Sequence, residues 1–90
     1  MTISVYLIML NRDYPTAGEL LYQQIVQSKE DSKIILDMNG VSLLPSMFLN
    51  PSLGRIIREN GVEYLKSKLV FTNISVGDSR RIKEYVQRFA

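Results

Sequence analysis

The sequence predicts a small α/β domain with a single-layer sheet of three to four mostly parallel strands and helices mainly on one side. Three short apolar segments have strand character, and each is followed by a segment with helical spacing, which gives the order β-α-β-α-β-α. Strands that alternate with helices favour right-handed crossovers and a parallel sheet. A chain of 90 residues suits one domain, spanning residues 1–90, because it has no room for a second core.

The composition excludes several kinds of functional site. The chain has no cysteine and no histidine, so disulfides, cysteine nucleophiles, histidine bases and typical zinc sites are absent. No GxxxxGK[ST] or GxGxxG motif is present, and the 9 acidic residues are scattered. The apolar segment ISVYLIML is far shorter than the roughly 20 residues that cross a bilayer. We therefore expect a cytoplasmic, non-enzymatic protein with no cofactor and no membrane segment.

The first strand is predicted over residues 2–10, where apolar side chains occupy both alternating faces, as in a covered central strand. Pro15 and Thr16 then open a helix, because proline suits the first helical turn. The apolar positions at helical spacing are Ala17, Leu20, Leu21 and Ile25. Gly18 costs this helix about 1 kcal/mol relative to alanine, and we interpret it as a site of close packing on the sheet rather than a tolerated weakness. Residues 29–32 form a polar connection.

The second strand is predicted over residues 33–38, whose short Ile-Ile-Leu run is typical of a buried parallel strand. Asn39 and Gly40 follow as a turn that tolerates positive φ. Asp37 ends the strand, where open α/β sheets bind ligands, but we favour a role as acceptor for the backbone at Asn39 and Gly40. A hairpin at this turn is the less favoured alternative, because Pro45 follows closely.

Pro51 determines where the second helix starts. If Ser46 is the N-cap, Pro51 is the fifth residue, where proline removes a hydrogen bond and crowds a carbonyl. If Asn50 is the cap, Pro51 takes the favoured first position. We predict a kinked or delayed start with residues 46–49 in a separate turn, and an unbroken, normally bonded helix from Ser46 would contradict this. The apolar stripe and the end of this helix are Leu49, Leu53, Ile56, Ile57 and Asn60-Gly61.

The third strand is predicted over residues 66–74, and Asp78 or Ser79 then caps the last helix. The apolar face of that helix is Ile82, Tyr85, Val86 and Phe89. The basic side chains on and near it are Lys66, Lys68, Arg80, Arg81, Lys83 and Arg88. Because Glu84 interrupts them and the net charge is only +2, we interpret them as a solvated face. The alternative is a basic stripe that makes the chain a small nucleic-acid-binding protein.

The segment LDMNGVSLLPSMFLNPSLG resembles the STAS-type domain, in which a buried strand leads through a turn to a helix carrying the regulatory serine of anti-sigma-factor antagonists. It is still more similar to the STAS-like bacterial family of unknown function, whose pattern resembles hhhDFxGVxxhxxSFxNxxhG. The matching residues are Leu36, Asp37, Gly40, Val41, Leu44, Phe48, Asn50, Leu53 and Gly54. The resemblance covers the chain from Lys33 onward and implies a single STAS-like domain.

The resemblance implies a regulatory module that binds another protein, in particular a histidine-kinase-like ATPase. Met47 stands where the antagonists carry the phosphorylated serine and Ser46 where they have the preceding one, which weakens a phosphorylation switch and favours Ser46 as a cap. We expect the interaction surface at residues 39–50, with Met47 and Leu49 either as apolar contacts or in the core. Its candidate residues are Asp37, Asn39, Gly40, Ser46, Met47, Phe48 and Asn50. A homodimer is compatible with so small a core.

Overall fold

A computed structural model describes residues 1–28 and 33–89, so the polar connection expected at residues 29–32 lies outside the described part. The sheet has three parallel strands in the order β1-β2-β3. The strands are β1 Thr2–Ser4, β2 Ile34–Asp37 and β3 Leu69–Thr72. The helices are α1 Val5–Met9, α2 Tyr14–Val26, α3 Ser46–Leu49, α4 Arg55–Asn60, α5 Val62–Lys68 and α6 Val76–Gln87. A π-helical segment, Asn50–Gly54, joins α3 to α4.

The apolar core lies on one face of the sheet, which confirms the predicted α/β class with helices mainly on one side. In β2, buried residues alternate with half-buried ones, as expected when only one face is covered. The covered face carries Ile3, Leu36 and Phe71 in one register row and Ile34 and Leu69 in the next. The opposite face carries Thr2, Ile35 and Val70, and then Ser4, Asp37 and Thr72.

The first predicted strand is wrong over most of its length, because the chain turns into α1 after Ser4. The Ser4 hydroxyl accepts a hydrogen bond from the Leu7 N–H at 3.2 Å and caps this helix. The buried side chains of α1 are Val5 and Ile8, which are three residues apart on one helical face, whereas Leu7 is 61% exposed. The apolar run that suggested a central strand therefore reflects a short helix with one covered side.

The third predicted strand starts too early, because α5 includes residues 66–68, which were expected to belong to the strand. Gly61 has a φ of 91° and separates α4 from α5, which then ends directly at Leu69. The last helix begins earlier than expected: Ser75, not Asp78 or Ser79, is its N-cap and accepts from the Asp78 N–H at 3.0 Å. The predicted apolar face of α6 is confirmed, since its members are buried or packed against the core.

Helix α2 begins as predicted and shows why Gly18 is needed. Asp13 caps it by accepting from the Thr16 N–H at 2.8 Å. A Cβ atom on Gly18 would lie 2.5 Å from the Phe48 carbonyl oxygen and 2.5 Å from Cγ of Pro51. The close packing is therefore confirmed, but its partner is α3 and the π-helical segment rather than the sheet.

A polar cluster on the surface joins α2 to α4. The Tyr22 hydroxyl donates a hydrogen bond to the Glu59 carboxylate, and this bond lowers the pKa of Glu59. The Arg55 guanidinium lies 4.0 Å from the centroid of the Tyr22 ring and donates to Glu59 at 3.2 Å. These contacts therefore attach α2 to α4, in addition to the contact that Gly18 makes with α3 and the π-helical segment.

We predict that Gly18→Ala lowers the free energy of unfolding by about 1–3 kcal/mol, because the new methyl group overlaps a backbone oxygen that cannot move freely. The matched control is Gly77→Ala in α6, where an added Cβ meets nothing within 4 Å, so the change is neutral or stabilising. Urea unfolding followed by circular dichroism measures both. Equal effects of the two substitutions would contradict the close contact at Gly18.

Candidate functional site

The carboxyl ends of the three parallel strands lie at one edge of the sheet, where open α/β folds place their sites. β1 runs into α1, while the turns after β2 and β3 contain Gly40 and Asn73, with φ values of 90° and 53°. Both connections therefore leave the same edge through a residue with positive φ. We give the name carboxyl-edge surface to four exposed apolar side chains: Tyr6, Leu10 and Leu43, which line a cleft with Gly40, and Met47, which lies two residues after Pro45 on the first turn of α3.

Asp37 joins two of the turns at this edge. Its Oδ1 atom accepts from the Asn73 side-chain amide at 2.9 Å and from the Asn39 N–H at 3.0 Å. The bond from Asn73 and then the bond from Asn39 lower the pKa of Asp37. The predicted turn-stabilising role is confirmed for Asn39, whereas the second donor is Asn73 rather than Gly40, a partner 36 residues away in the sequence.

The turn after β2 does not lead to a second strand. The Val41 N–H donates to the Met38 carbonyl at 3.0 Å, and the residues from Val41 to Pro45 have no regular secondary structure. A Cβ on Gly40 would lie 3.1 Å from the ring of Tyr6, so this turn rests against α1. The less favoured hairpin is thus not formed, as predicted.

Ser46 is the first residue of α3 rather than its cap, and Pro45 is the N-cap, so the expected capping role is wrong. The Ser46 hydroxyl instead accepts from Nη2 of Arg81 at 3.0 Å, and Nε of Arg81 donates to the Leu44 carbonyl at 3.2 Å. Arg81 therefore fixes the segment before α3 to α6. Arg81 is half-buried and hydrogen-bonded, so the interpretation of the basic residues as a solvated face is wrong for Arg81.

The predicted delay of the helix at Pro51 is wrong, but the expectation of irregular hydrogen bonding is confirmed. Asn50 is not a cap, since its φ of −61° and ψ of −47° are helical. The chain accommodates Pro51 in the π-helical segment. The Ser52 hydroxyl donates to the Phe48 carbonyl at 2.7 Å, and Nη2 of Arg58 donates to the Asn50 carbonyl at 3.1 Å. Side chains thus donate to backbone carbonyls around a proline that has no N–H.

Asn50 serves the fold by receiving a hydrogen bond from α6. Its Oδ1 atom accepts from the Tyr85 hydroxyl at 2.6 Å, and a Cβ on Gly54 would overlap that hydroxyl. Tyr85 is only 2% exposed. Burial raises the pKa of Tyr85, and the nearby charges of Arg58, Arg81 and Arg88 act in the opposite direction. Two residues of the sequence motif therefore accommodate the buried Tyr85: Asn50 accepts its hydrogen bond, and Gly54 leaves space for its hydroxyl group.

The structure divides the remaining predicted site residues between surface and core. Met47 is 60% exposed on the first turn of α3, whereas Phe48 and Leu49 are each 1% exposed and belong to the core. Leu43, which sequence reasoning did not single out, is 62% exposed. The sequence alone does not distinguish it from its neighbour Leu44, which is 5% exposed.

Two clefts of about 220 and 370 Å³ flank Leu43 and share Tyr14 and Ser42 in their walls. The smaller cleft is also lined by Tyr6 and Leu10, and the larger one is lined by Pro45, Asp78 and Arg81. Leu43 therefore projects between two concavities whose walls contain both apolar and polar side chains. Such an arrangement offers an adjoining surface both a projecting side chain and recesses for its own.

The six basic residues do not form one exposed stripe. Lys68 is 5% exposed, and Arg81 is half-buried against Leu44 and Ser46. Lys66 and Lys83 line a groove between α5 and α6. Arg80 is exposed on α6, and Arg88 is exposed directly after its end. Nucleic-acid binding stays a prediction from the sequence, and this distribution adds no support to it.

Within residues 1–28 and 33–89, no cluster of three or more histidine, cysteine, aspartate or glutamate side chains is suited to hold a metal ion. None of the helices there combines the length and apolar character required to cross a membrane.

Residues 17–78 match the sequence profile of a family described as STAS-like domain of unknown function (DUF4325). The matched part is more than half of the chain and runs from α2 to the first turn of α6. No curated protein and no solved structure matches the chain. The residues that the sequence resemblance singled out, including Asp37, Asn50 and Gly54, all lie within the matched range.

We predict that Tyr85→Phe lowers the free energy of unfolding by about 0.5–1.5 kcal/mol, because the bond to Asn50 is lost while the ring remains in the core. Tyr6→Phe is the control, since the Tyr6 hydroxyl makes no hydrogen bond within the described residues. Urea unfolding midpoints of the two variants measure the difference. A Tyr85 variant as stable as the Tyr6 variant would show that the Asn50 contact contributes nothing.

We predict that the stabilising effect of the Asp37 carboxylate depends on pH. Its folded pKa is lowered, so its contribution is complete above the unfolded value of 3.8 and is lost as the pH falls through the lower folded value. Asp37→Asn should therefore destabilise the protein at pH 7 and have progressively less effect below pH about 4. Unfolding titrations across this range, repeated in an Asn73→Ala background, measure the effect. Equal effects at neutral and acidic pH would contradict it.

Proposed function

The chain belongs to the family of STAS-like domains of unknown function, and we propose that it is a non-enzymatic, regulatory protein-interaction module of the bacterial cytoplasm. In this proposal it binds another protein through the carboxyl-edge surface. The binding partner is a histidine-kinase-like ATPase, as the resemblance to anti-sigma-factor antagonists suggests.

The proposal rests on two large apolar side chains that are exposed to solvent although the backbone that carries them is held in place by hydrogen bonds and by its buried neighbours. Leu43 and Met47 are 62% and 60% exposed, while Leu44 and Phe48, which directly follow them, are 5% and 1% exposed. The backbone between them is held by Arg81 through the Leu44 carbonyl. A fixed segment loses little conformational entropy on binding, so less of the free energy of its apolar contacts is offset and the affinity is higher.

The region around Ser46 supports binding that does not require phosphorylation. Met47 replaces the serine that the antagonists phosphorylate, and the Ser46 hydroxyl is already engaged by Arg81 at 3.0 Å. A phosphoserine at this position would contact the partner through its charge, whereas a methionine contacts it by burying apolar surface from water. We propose that partner binding here is apolar and constitutive.

We predict that Leu43→Glu and Met47→Glu each weaken binding to the ATPase at least about tenfold, because each places a charge in an apolar contact. Val26→Glu is the matched control: Val26 is 41% exposed and ends α2, at the opposite end of that helix from Tyr14 in the cleft wall. Isothermal titration calorimetry with purified kinase-like ATPases from the same genome measures the affinities. The proposal fails if none of them binds the wild type, or if the Leu43 and Met47 variants bind as the control does.

A further inference from the structure

A second surface lies along the outer side of β3. β3 is an edge strand, because the sheet order places it beside β2 alone. The Thr72 carbonyl accepts from the Met38 N–H at 2.9 Å and therefore points toward β2. Because successive residues of a strand direct their backbone groups to opposite sides, the N–H and carbonyl of Phe71 point away from β2. In the described part of the chain no strand pairs with this side.

An apolar groove of about 480 Å³ lies beside this free edge, between β3, α5 and α6. Its apolar walls are formed by Leu65, Leu69, Phe71, Ile74, Ile82 and Val86. Lys66 from α5 and Lys83 from α6 also line it. The groove therefore combines an apolar floor, positive charge on two sides and an unpaired strand edge.

The groove stays open because α6 is attached to the rest of the protein through the side of the helix that faces away from the groove. Tyr85 reaches Asn50 at 2.6 Å and Arg81 reaches Ser46 at 3.0 Å, so the helix is drawn toward α3 and the π-helical segment. The side of α6 that carries Lys83 and Val86 is left facing the groove. Because Ser46 and Asn50 are part of the helical segment that packs on the core, the position of α6, and with it the open groove, is fixed by the fold.

We propose that this groove binds an extended, acidic peptide segment of a partner protein by adding a strand to β3. The backbone of the segment pairs with Phe71, and every second side chain enters the apolar groove. An aspartate or glutamate of the segment pairs with Lys66 or Lys83. None of the groove residues lines the two clefts at the carboxyl edge, so this inference is independent of the function proposed above.

The charge of the groove favours an acidic peptide over a second copy of this chain. Two copies joined through their β3 edges would bring Lys66 and Lys83 of both into one interface, where like charges oppose association. A small apolar molecule would leave the backbone of Phe71 unpaired. An extended acidic segment satisfies the backbone, the apolar walls and the lysines together.

Selection from a random 12-residue peptide library displayed on phage, with the full chain immobilised, tests the proposal. We expect the selected peptides to alternate apolar and other residues and to carry at least one acidic residue. Backbone amide shifts on adding a synthetic selected peptide should be largest within β3. The same peptide with alternate backbone nitrogens methylated should not bind, because it cannot pair with a strand edge.

The charge contribution is tested with variants that leave the fold intact. Replacing both lysines, Lys66→Glu with Lys83→Glu, should weaken peptide binding roughly tenfold, as measured by fluorescence anisotropy. Arg80→Glu on the same helix is the control, because Arg80 is exposed and does not line the groove; it should change the affinity less than about twofold. Circular dichroism confirms folding of each variant.

Three outcomes would overturn the proposal. The first is a selection that enriches no peptide, or only peptides without acidic residues. The second is binding that shifts the amides of the carboxyl-edge surface instead of β3. The third is dimerisation of the chain through β3 at concentrations where no peptide binds, which would assign the edge to a second copy.

Discussion

The close contact between Gly18 and Pro51 is the constraint on which the rest of the structure depends. It brings α2 against the π-helical segment, with the Phe48 carbonyl 2.5 Å from where a Gly18 Cβ would be. Ser52, with 0% exposure, donates to that same carbonyl. On the far side of the segment, Gly54 leaves room for Tyr85 and so for α6. Two glycines thus allow α2 and α6 to pack on opposite sides of one proline-containing turn.

This packing also explains how apolar side chains come to be exposed at the carboxyl edge. Because the helix is continuous from Ser46 through Pro51, Phe48 and Leu49 enter the core together and Met47 points outward. The packing of α6 also positions Arg81, which donates a hydrogen bond to the Leu44 carbonyl. The exposure is therefore a consequence of a tightly fixed core rather than of a loose loop, which is the property expected of a preorganised contact surface.

Sequence reasoning predicted the features whose causes are local. The start of α2 at Pro15, the Asp37–Asn39 turn and the parallel class follow from neighbouring residues and from the order of the elements. It failed for short elements, since a three-residue strand followed by a five-residue helix resembles one longer strand. It also failed for Arg81, because the partners of such a side chain lie 35 to 37 residues away and leave no pattern in a single sequence.

Native-state hydrogen exchange tests most directly whether the core depends on the proline-containing turn. If it does, the amides of Ser52, Leu53 and Gly54 exchange only through global unfolding, with the same free energy and denaturant dependence as those of β2. If these amides instead open at a much lower free energy while β2 remains protected, the turn is a peripheral feature. The contact at Gly18 would then not be what holds α2, the π-helical segment and α6 together.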